Sequence, residues 1–259
     1  MLLATNIARH MKQATFEFQN GLEFFLTAQP TAQGVVCVFQ GRQSVKHLVE
    51  SLGVPHVEIK RIEVNQIQVG FEYLVRDGDS VQVYPYTPAD FLDDQDQPKR
   101  FILDTHLGQL AAYLRMLGVD TEYRNDYEDA ALADIASRAG CILLTRDRRL
   151  LMRSIIEDGY WLRSKVPREQ LREVVTRYNL YSEVVPFSRC MHCNGSLEAV
   201  SKEQVLDRLE PLTKRYYFEF HRCPDCDQIY WKGSHYEQMR HFIDGFMLGE
   251  DSTHLYSEE

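Results

Sequence analysis

The chain has 259 residues, 44% of them hydrophobic and 26% charged, with a formal net charge of −9 at pH 7. That balance is ordinary for a globular protein and excludes wholesale disorder, collagen and fibrous repeats. The acidic total excludes a uniformly basic nucleic-acid coat, and no apolar run is long enough for a transmembrane helix.

Met1 to Lys12 carries Leu2 and Leu3 but no sustained apolar core and no small-residue cleavage site. No signal peptide is expected, and the expected compartment is the cytoplasm. From Ala14, the alternating run ATFEF, the run LEFFL after the turn at Asn20-Gly21, and VVCVF read as strand. Ser44 then caps the helix SVKHLVESLG, whose Val45, Leu48, Val49 and Leu52 share one face before Gly53 stops it. EIKRIEVNQIQV and VRDGDSVQVYPY return to strand. Strands, a helix and further strands in that order predict a β-grasp (α+β) domain over residues 1–88. Its wording resembles ubiquitin-like domains of the sulfur-carrier type. Those work through a free Gly-Gly end, whereas this strand runs on through Tyr84-Pro85-Tyr86, so a carrier role is not supported. An acidic linker bracketed by Pro88 and Pro98 follows.

Residues 99–182 alternate strand and helix, which predicts βαβ units and a mostly parallel sheet. FILD is a short strand ending in Asp104; Leu107, Leu110, Ala111, Leu114 and Leu117 then repeat at helical spacing up to Gly118. Val119–Tyr123 is a second strand, and Asp129–Ala139 a helix. CILLTRD is a third strand, followed by a helix opened by Asp147, the strand YWLRS, and an amphipathic helix from Gln170 to Leu180. Cys37 and Cys141 sit alone in apolar runs and read as small buried hydrophobes.

Residues 186–246 contain Cys190-x-x-Cys193 and Cys223-x-x-Cys226, separated by 29 residues. Without a secretory signal, two such pairs predict a tetrahedral structural Zn²⁺ site, a zinc ribbon, with His192 and His221 flanking the knuckles. A loop or short helix (Lys202 to Leu209) is expected in the gap. Its aromatics, Tyr217, Phe218, Tyr230 and Trp231, read either as the ribbon's own core or as stacking partners for single-stranded bases. The tail after residue 248 is acidic and expected to fray.

Asp104, Asp129 and Asp147 fall at strand ends or helix starts. In open parallel sheets the carboxyl ends of strands are where ligands bind. Carboxylates gathered there suit Mg²⁺ or Mn²⁺, which would activate a water against a phosphodiester. Each acid is equally a good helix cap. The central third is charge-balanced with dense arginine. Arg115, Arg146 and Arg148 are the expected substrate-binding residues, since guanidinium pairs bidentately with phosphate.

FILDTHLGQLAAYLRMLG with DAALADIASRAGCILLTRDRRLL and YWLRS closely resembles the Mut-seven C-terminal RNase domain, of the PIN-like ribonuclease superfamily. The resemblance extends over nearly the whole chain. It implies a PIN-like three-layer α/β domain preceded by a ubiquitin-like domain and followed by a zinc ribbon. It assigns metal-binding and catalytic roles to Asp104, to Asp129 in the helix DAALADIA and to Asp147 in TRD. Many PIN-like nucleases carry a further acid on an earlier helix. The helix at 107–117 has none, so that ligand is missing or replaced by Asp126 or Glu128. The implied function is metal-dependent RNA hydrolysis. The alternatives are a non-catalytic RNA-binding or adaptor protein using the ribbon and arginine patch, and a protein partner reached through the β-grasp domain. No membrane partner is expected.

Overall fold

Apolar residues placed at every second position produce the first sheet. In the computed structural model, which describes residues 11–27, 31, 34–92 and 98–249, β1 (Lys12–Phe18) and β2 (Val35–Phe39) pair antiparallel. Val35, Cys37 and Phe39 point inward while Val36 and Val38 are exposed, the period-2 signature of a half-buried strand. Residues 1–10, where no signal peptide is expected, the centre of the linker and the acidic tail from residue 250 lie outside the described residues. LEFFL is not a strand: Gly21 at φ +92° turns the chain into a short 3-10 helix, Leu22–Phe25, that buries Leu22 and Phe25. Helix α1 (Val45–Ser51) is capped by Ser44, whose Oγ accepts from the His47 N–H. It lays Val45, Leu48 and Val49 on the sheet. The run EIKRIEVNQIQV breaks at Asn65 and Gln66, both at positive φ, into β3 (Ile59–Val64) and β4 (Ile67–Val69). With β5 (Ser80–Pro85) the order is β2-β1-β5-β3-β4, β1 and β5 running parallel at the centre. This is the β-grasp arrangement.

Next come β6 (Arg100–Leu103), α2 (Gly108–Met116), β7 (Asp120–Tyr123), α3 (Asp129–Ala139), β8 (Ile142–Thr145), α4 (Arg148–Leu151), β9 (Gly159–Trp161) and α5 (Pro167–Arg177). Strands β6 and β7 pair in parallel, as do β8 and β9, confirming the mixed α/β reading. Phe101, Ile102 and Leu103 are all fully buried, so β6 is covered on both faces. Each such side chain contributes at most about 1.5–3 kcal/mol by leaving water. The helix opened by Asp147 is a single turn, Arg148–Leu151.

The last segment holds a small antiparallel sheet, β10 (Glu198–Val200), β11 (Phe220–Arg222) and β12 (Ile229–Trp231). Helices α6 (Lys202–Val205) and α7 (Pro211–Tyr216) fill the gap between the cysteine pairs. Val205, Leu209, Phe220 and Ile229 form its core. Helix α8 (Ser234–Leu248) is the longest element among the described residues and has no counterpart in the sequence pattern read above.

By packing, the chain divides into two units that ignore module order. One joins residues 1–90 to 129–161; the other joins 91–128 to 162–259. Among the described residues no helix is long and apolar enough to cross a membrane.

Candidate functional site

Asp104 is the first residue after β6, as expected. Its carbonyl accepts from the Leu107 N–H, turning the chain toward α2. Its Oδ1 accepts from Thr105 Oγ1 at 3.1 Å and lies 3.3 Å from His106 Nδ1. The side chain is 14% exposed. Tyr123, paired with Leu103 in register, braces this turn by donating its hydroxyl to the Thr105 carbonyl at 2.9 Å. A side chain at Gly108 would meet that hydroxyl, 2.7 Å from the added Cβ. Nothing in the sequence marked Tyr123 for this task.

Asp129 opens α3 and is exposed. Asp126, a candidate replacement for the missing fourth acid, is instead held by Arg124 through two bonds, Nε to Oδ1 at 2.9 Å and Nη2 to Oδ2 at 2.7 Å. That pairing pulls its carboxyl below the ordinary range. Asp147 caps α4: its Oδ1 accepts from the Arg149 N–H at 2.8 Å, and its own N–H donates to Thr145 Oγ1 at 2.9 Å. Asp104 therefore belongs to one packing unit, Asp129 and Asp147 to the other.

Two of the three arginines expected on substrate are committed elsewhere. Arg115 is 3% exposed. Its Nε donates to the Thr121 carbonyl at 2.9 Å, and its Nη atoms donate to the carbonyls of Tyr123, Met191 and His192. A phosphate cannot reach it; the residue fastens α2 to β7 and to the first cysteine knuckle. Arg148 donates from Nη1 to the Phe25 carbonyl at 3.0 Å and from Nη2 to the Phe24 carbonyl at 3.2 Å. Arg146 is half-buried, and Arg149 and Arg153, three and seven residues further on, are exposed; the Arg146 carbonyl accepts from Trp161 Nε1 at 3.0 Å.

The cysteines converge. Cys190 Sγ is 3.5 Å from Cys226 Sγ, and Cys193 Sγ is 3.3 Å from Cys223 Sγ. All four sulfurs lie within 4.8 Å of one another. A tetrahedral ion with bonds near 2.3 Å needs sulfurs about 3.8 Å apart, so the set fits a thiophilic metal such as zinc with little adjustment. The two knuckles are built alike. The first Cys carbonyl accepts from the N–H four residues on, Asn194 or Asp227, at 2.9 and 2.8 Å. Both of those residues have positive φ, 73° and 62°, a conformation Asn and Asp tolerate best after Gly. Burial works against a charged Cys190, yet Tyr230 Oη and the N–H groups of Cys193 and His192 outweigh it and bring that thiol down to about 7. Burial pushes Cys193 and Cys226 upward.

Among the described residues this tetrad is the one group of three or more candidate ligands gathered so closely. No trio of carboxylates is. Three oxygens bound directly to one Mg²⁺ would lie within about 4.2 Å of each other, twice its bond length.

The family model of the Mut7-C RNAse domain matches residues 99–243, a span that includes all four cysteines, and that of the Mut7-C ubiquitin domain matches residues 11–90. Comparison with curated proteins and with solved structures gave no match.

Proposed function

We propose, from the premise that this chain belongs to the Mut7-C RNAse family, that it hydrolyses RNA phosphodiester bonds with the help of a divalent cation held by Asp104, Asp129 and Asp147. Membership rests on the match over residues 99–243, more than half of the chain. The observation that carries the reading within that family is the placement of the acids. Asp104 directly follows β6, and Asp147 follows β8 by two residues, the strand ends at which open parallel sheets bind ligands. Mg²⁺ usually keeps several waters and takes only one or two carboxylates directly. A tight trio is therefore not required. When bound, such an ion lowers the pKa of a water and stabilises the departing oxygen. The chain's own part is to present the acids on short, braced turns and to hold the strand. Arg146, with the exposed Arg149 and Arg153, is assigned to the phosphates; Arg115 and Arg148 are not. The cysteine tetrad holds Zn²⁺ as a closed structural site with no open position.

The test is cleavage of single-stranded and hairpin RNAs with Mg²⁺ or Mn²⁺, comparing wild type with Asp104→Asn and Asp147→Asn. Metal-dependent cleavage that falls at least about 100-fold in both variants is the expected result, the scale of losing an electrostatic catalytic group. Equal rates, or no cleavage of any RNA, would overturn it.

Two observations favour a second reading, a non-catalytic RNA-binding or adaptor protein. Helix α2 carries no acid, and Asp126 is already paired with Arg124. RNA binding that weakens with salt but persists without divalent ions, and is unaltered in Asp104→Asn, would favour it.

A further inference from the structure

We propose that the ubiquitin-like module braces the Asp147 turn, and that Arg148 is the positioning residue through which it does so. The inference rests on Asp147 being catalytic, and it gives the fused module a task inside its own chain.

The turn from Thr145 to Arg148 is fixed at each of its last three residues. The Arg146 carbonyl accepts from Trp161 Nε1, the Asp147 N–H is satisfied by Thr145 Oγ1, and the Arg148 guanidinium is bound by the carbonyls of Phe24 and Phe25. The last of these ties leads into the β-grasp module. The guanidinium also lies against two aromatic rings, its central carbon 4.4 Å from the Trp161 ring centre and 5.1 Å from that of Phe25. Those rings pack on each other at 5.1 Å. A planar cation held by two carbonyls and two ring faces has few orientations left.

The anchor is itself rigid. Phe25 is fully buried, and Gly53 lies so close to its carbonyl that any Cβ there would collide with that oxygen. The Trp161 N–H donates to Glu58 Oε1 at 2.8 Å, Glu58 being 1% exposed. Beyond α4, His56 Nε2 is 2.8 Å from the Ile156 carbonyl. A carbonyl can only accept, so that nitrogen carries a proton. The module thus grips the stretch after Asp147 at two levels: through Phe24 and Phe25 at Arg148, and through His56 and Glu58 at Ile156 and Trp161.

Displacing a catalytic group by about 1 Å can cost about 100-fold in rate. The experiment measures steady-state RNA cleavage by Arg148→Ala, Arg148→Lys and Gly53→Ala, well below each variant's melting temperature. It also measures amide hydrogen exchange at residues 147–149. Arg148→Ala is expected to lower kcat about 10–100-fold with KM within about threefold, and Gly53→Ala, which touches no RNA, to reproduce that pattern. Lysine is a good phosphate ligand but is a point charge, without the planar fork that spans both carbonyls while lying against the Trp161 and Phe25 rings. Arg148→Lys should therefore recover little of the lost kcat, whereas a substrate-binding Arg148 would be largely rescued by it and would show its loss in KM. Exchange at 147–149 should quicken at least tenfold in Arg148→Ala. Unchanged kcat and unchanged exchange would overturn the proposal, as would a loss confined to KM. If the wild type cleaves nothing, the catalytic reading fails, and the exchange measurement alone still decides whether the module holds the turn.

Discussion

Asn194 Nδ2 donates to Asp120 Oδ1 at 2.7 Å, while Asn194 Oδ1 accepts the buried N–H of Thr121 at 3.0 Å. The residue that closes the first cysteine knuckle thereby acts as one more strand residue along β7. Arg189 adds to the seam, donating to the other Asp120 oxygen at 3.1 Å and to the Gly118 carbonyl. Asn194→Gly keeps the positive φ available but leaves the Thr121 N–H buried without a partner. The expected cost is about 1–3 kcal/mol, read from urea denaturation, with metal content unchanged.

Removing one thiolate is more severe. In small zinc peptides, metal binding contributes roughly 10–16 kcal/mol to folding. Cys223→Ser should lose zinc by elemental analysis and expose residues 186–231 to protease. Treatment of the wild type with a strong chelator should reproduce this. A retained stoichiometric ion in Cys223→Ser would show that the tetrad is not the site.

Arg115→Leu strips donors from four carbonyls and should lower stability by about 3 kcal/mol or more, since bonds from charged donors contribute about 1.5–3 kcal/mol each. Its RNA affinity should keep the same salt dependence. A residue that neutralised a phosphate would instead reduce the salt slope by about one when removed.

How much of this was visible in the chain itself depends on range. Period-2 and period-3.6 patterns placed most strands and helices, because they report local burial. Asn65-Gln66 hid a hairpin, since Gln lacks the preference for positive φ that an Asn-Gly pair announces. Helix α8 was missed because Phe242, Ile243 and Phe246 are diluted by polar neighbours and lie beside the more conspicuous cysteines. The cysteines and Asp104 landed where expected because spacing and strand ends are local properties. Arg115 and Arg148 did not: an arginine reads the same in sequence whether it meets a phosphate or a carbonyl, and only burial by distant residues decides.

Gly118 shows the same dependence on distant residues. It ends α2 at φ +86°, and an added Cβ would run into the Val185 carbonyl. The Val185 and Phe187 N–H groups bond to the Leu117 and Met116 carbonyls, so this segment cannot retreat cheaply. The left-handed conformation alone costs about 1–2 kcal/mol for a residue with a Cβ. Gly118→Ala should therefore lose more than about 2 kcal/mol, seen as a lower urea midpoint at unchanged slope.

Tyr127 supplies a test at alkaline pH. Burial, and then its hydrogen bond to Glu122 Oε1 at 2.8 Å, push its phenol up to about 12. The folded value lies above the ordinary one near 10. Its contribution is therefore whole below pH 10 and is lost as pH rises through 12. Stability of the wild type should fall over that window more steeply than that of Tyr127→Phe. Parallel curves would place Tyr127 outside this linkage.

Because each packing unit is assembled from two separated stretches, the order of synthesis matters. The β-grasp sheet is complete once residue 90 has left the ribosome, but Trp161, which packs on its core, comes roughly 70 residues later. At about 5–20 residues per second the nascent chain waits several seconds with the Phe25 surface that Trp161 later covers bare to the cell. That interval, rather than any weakness of the finished molecule, is when a chaperone would have something to bind.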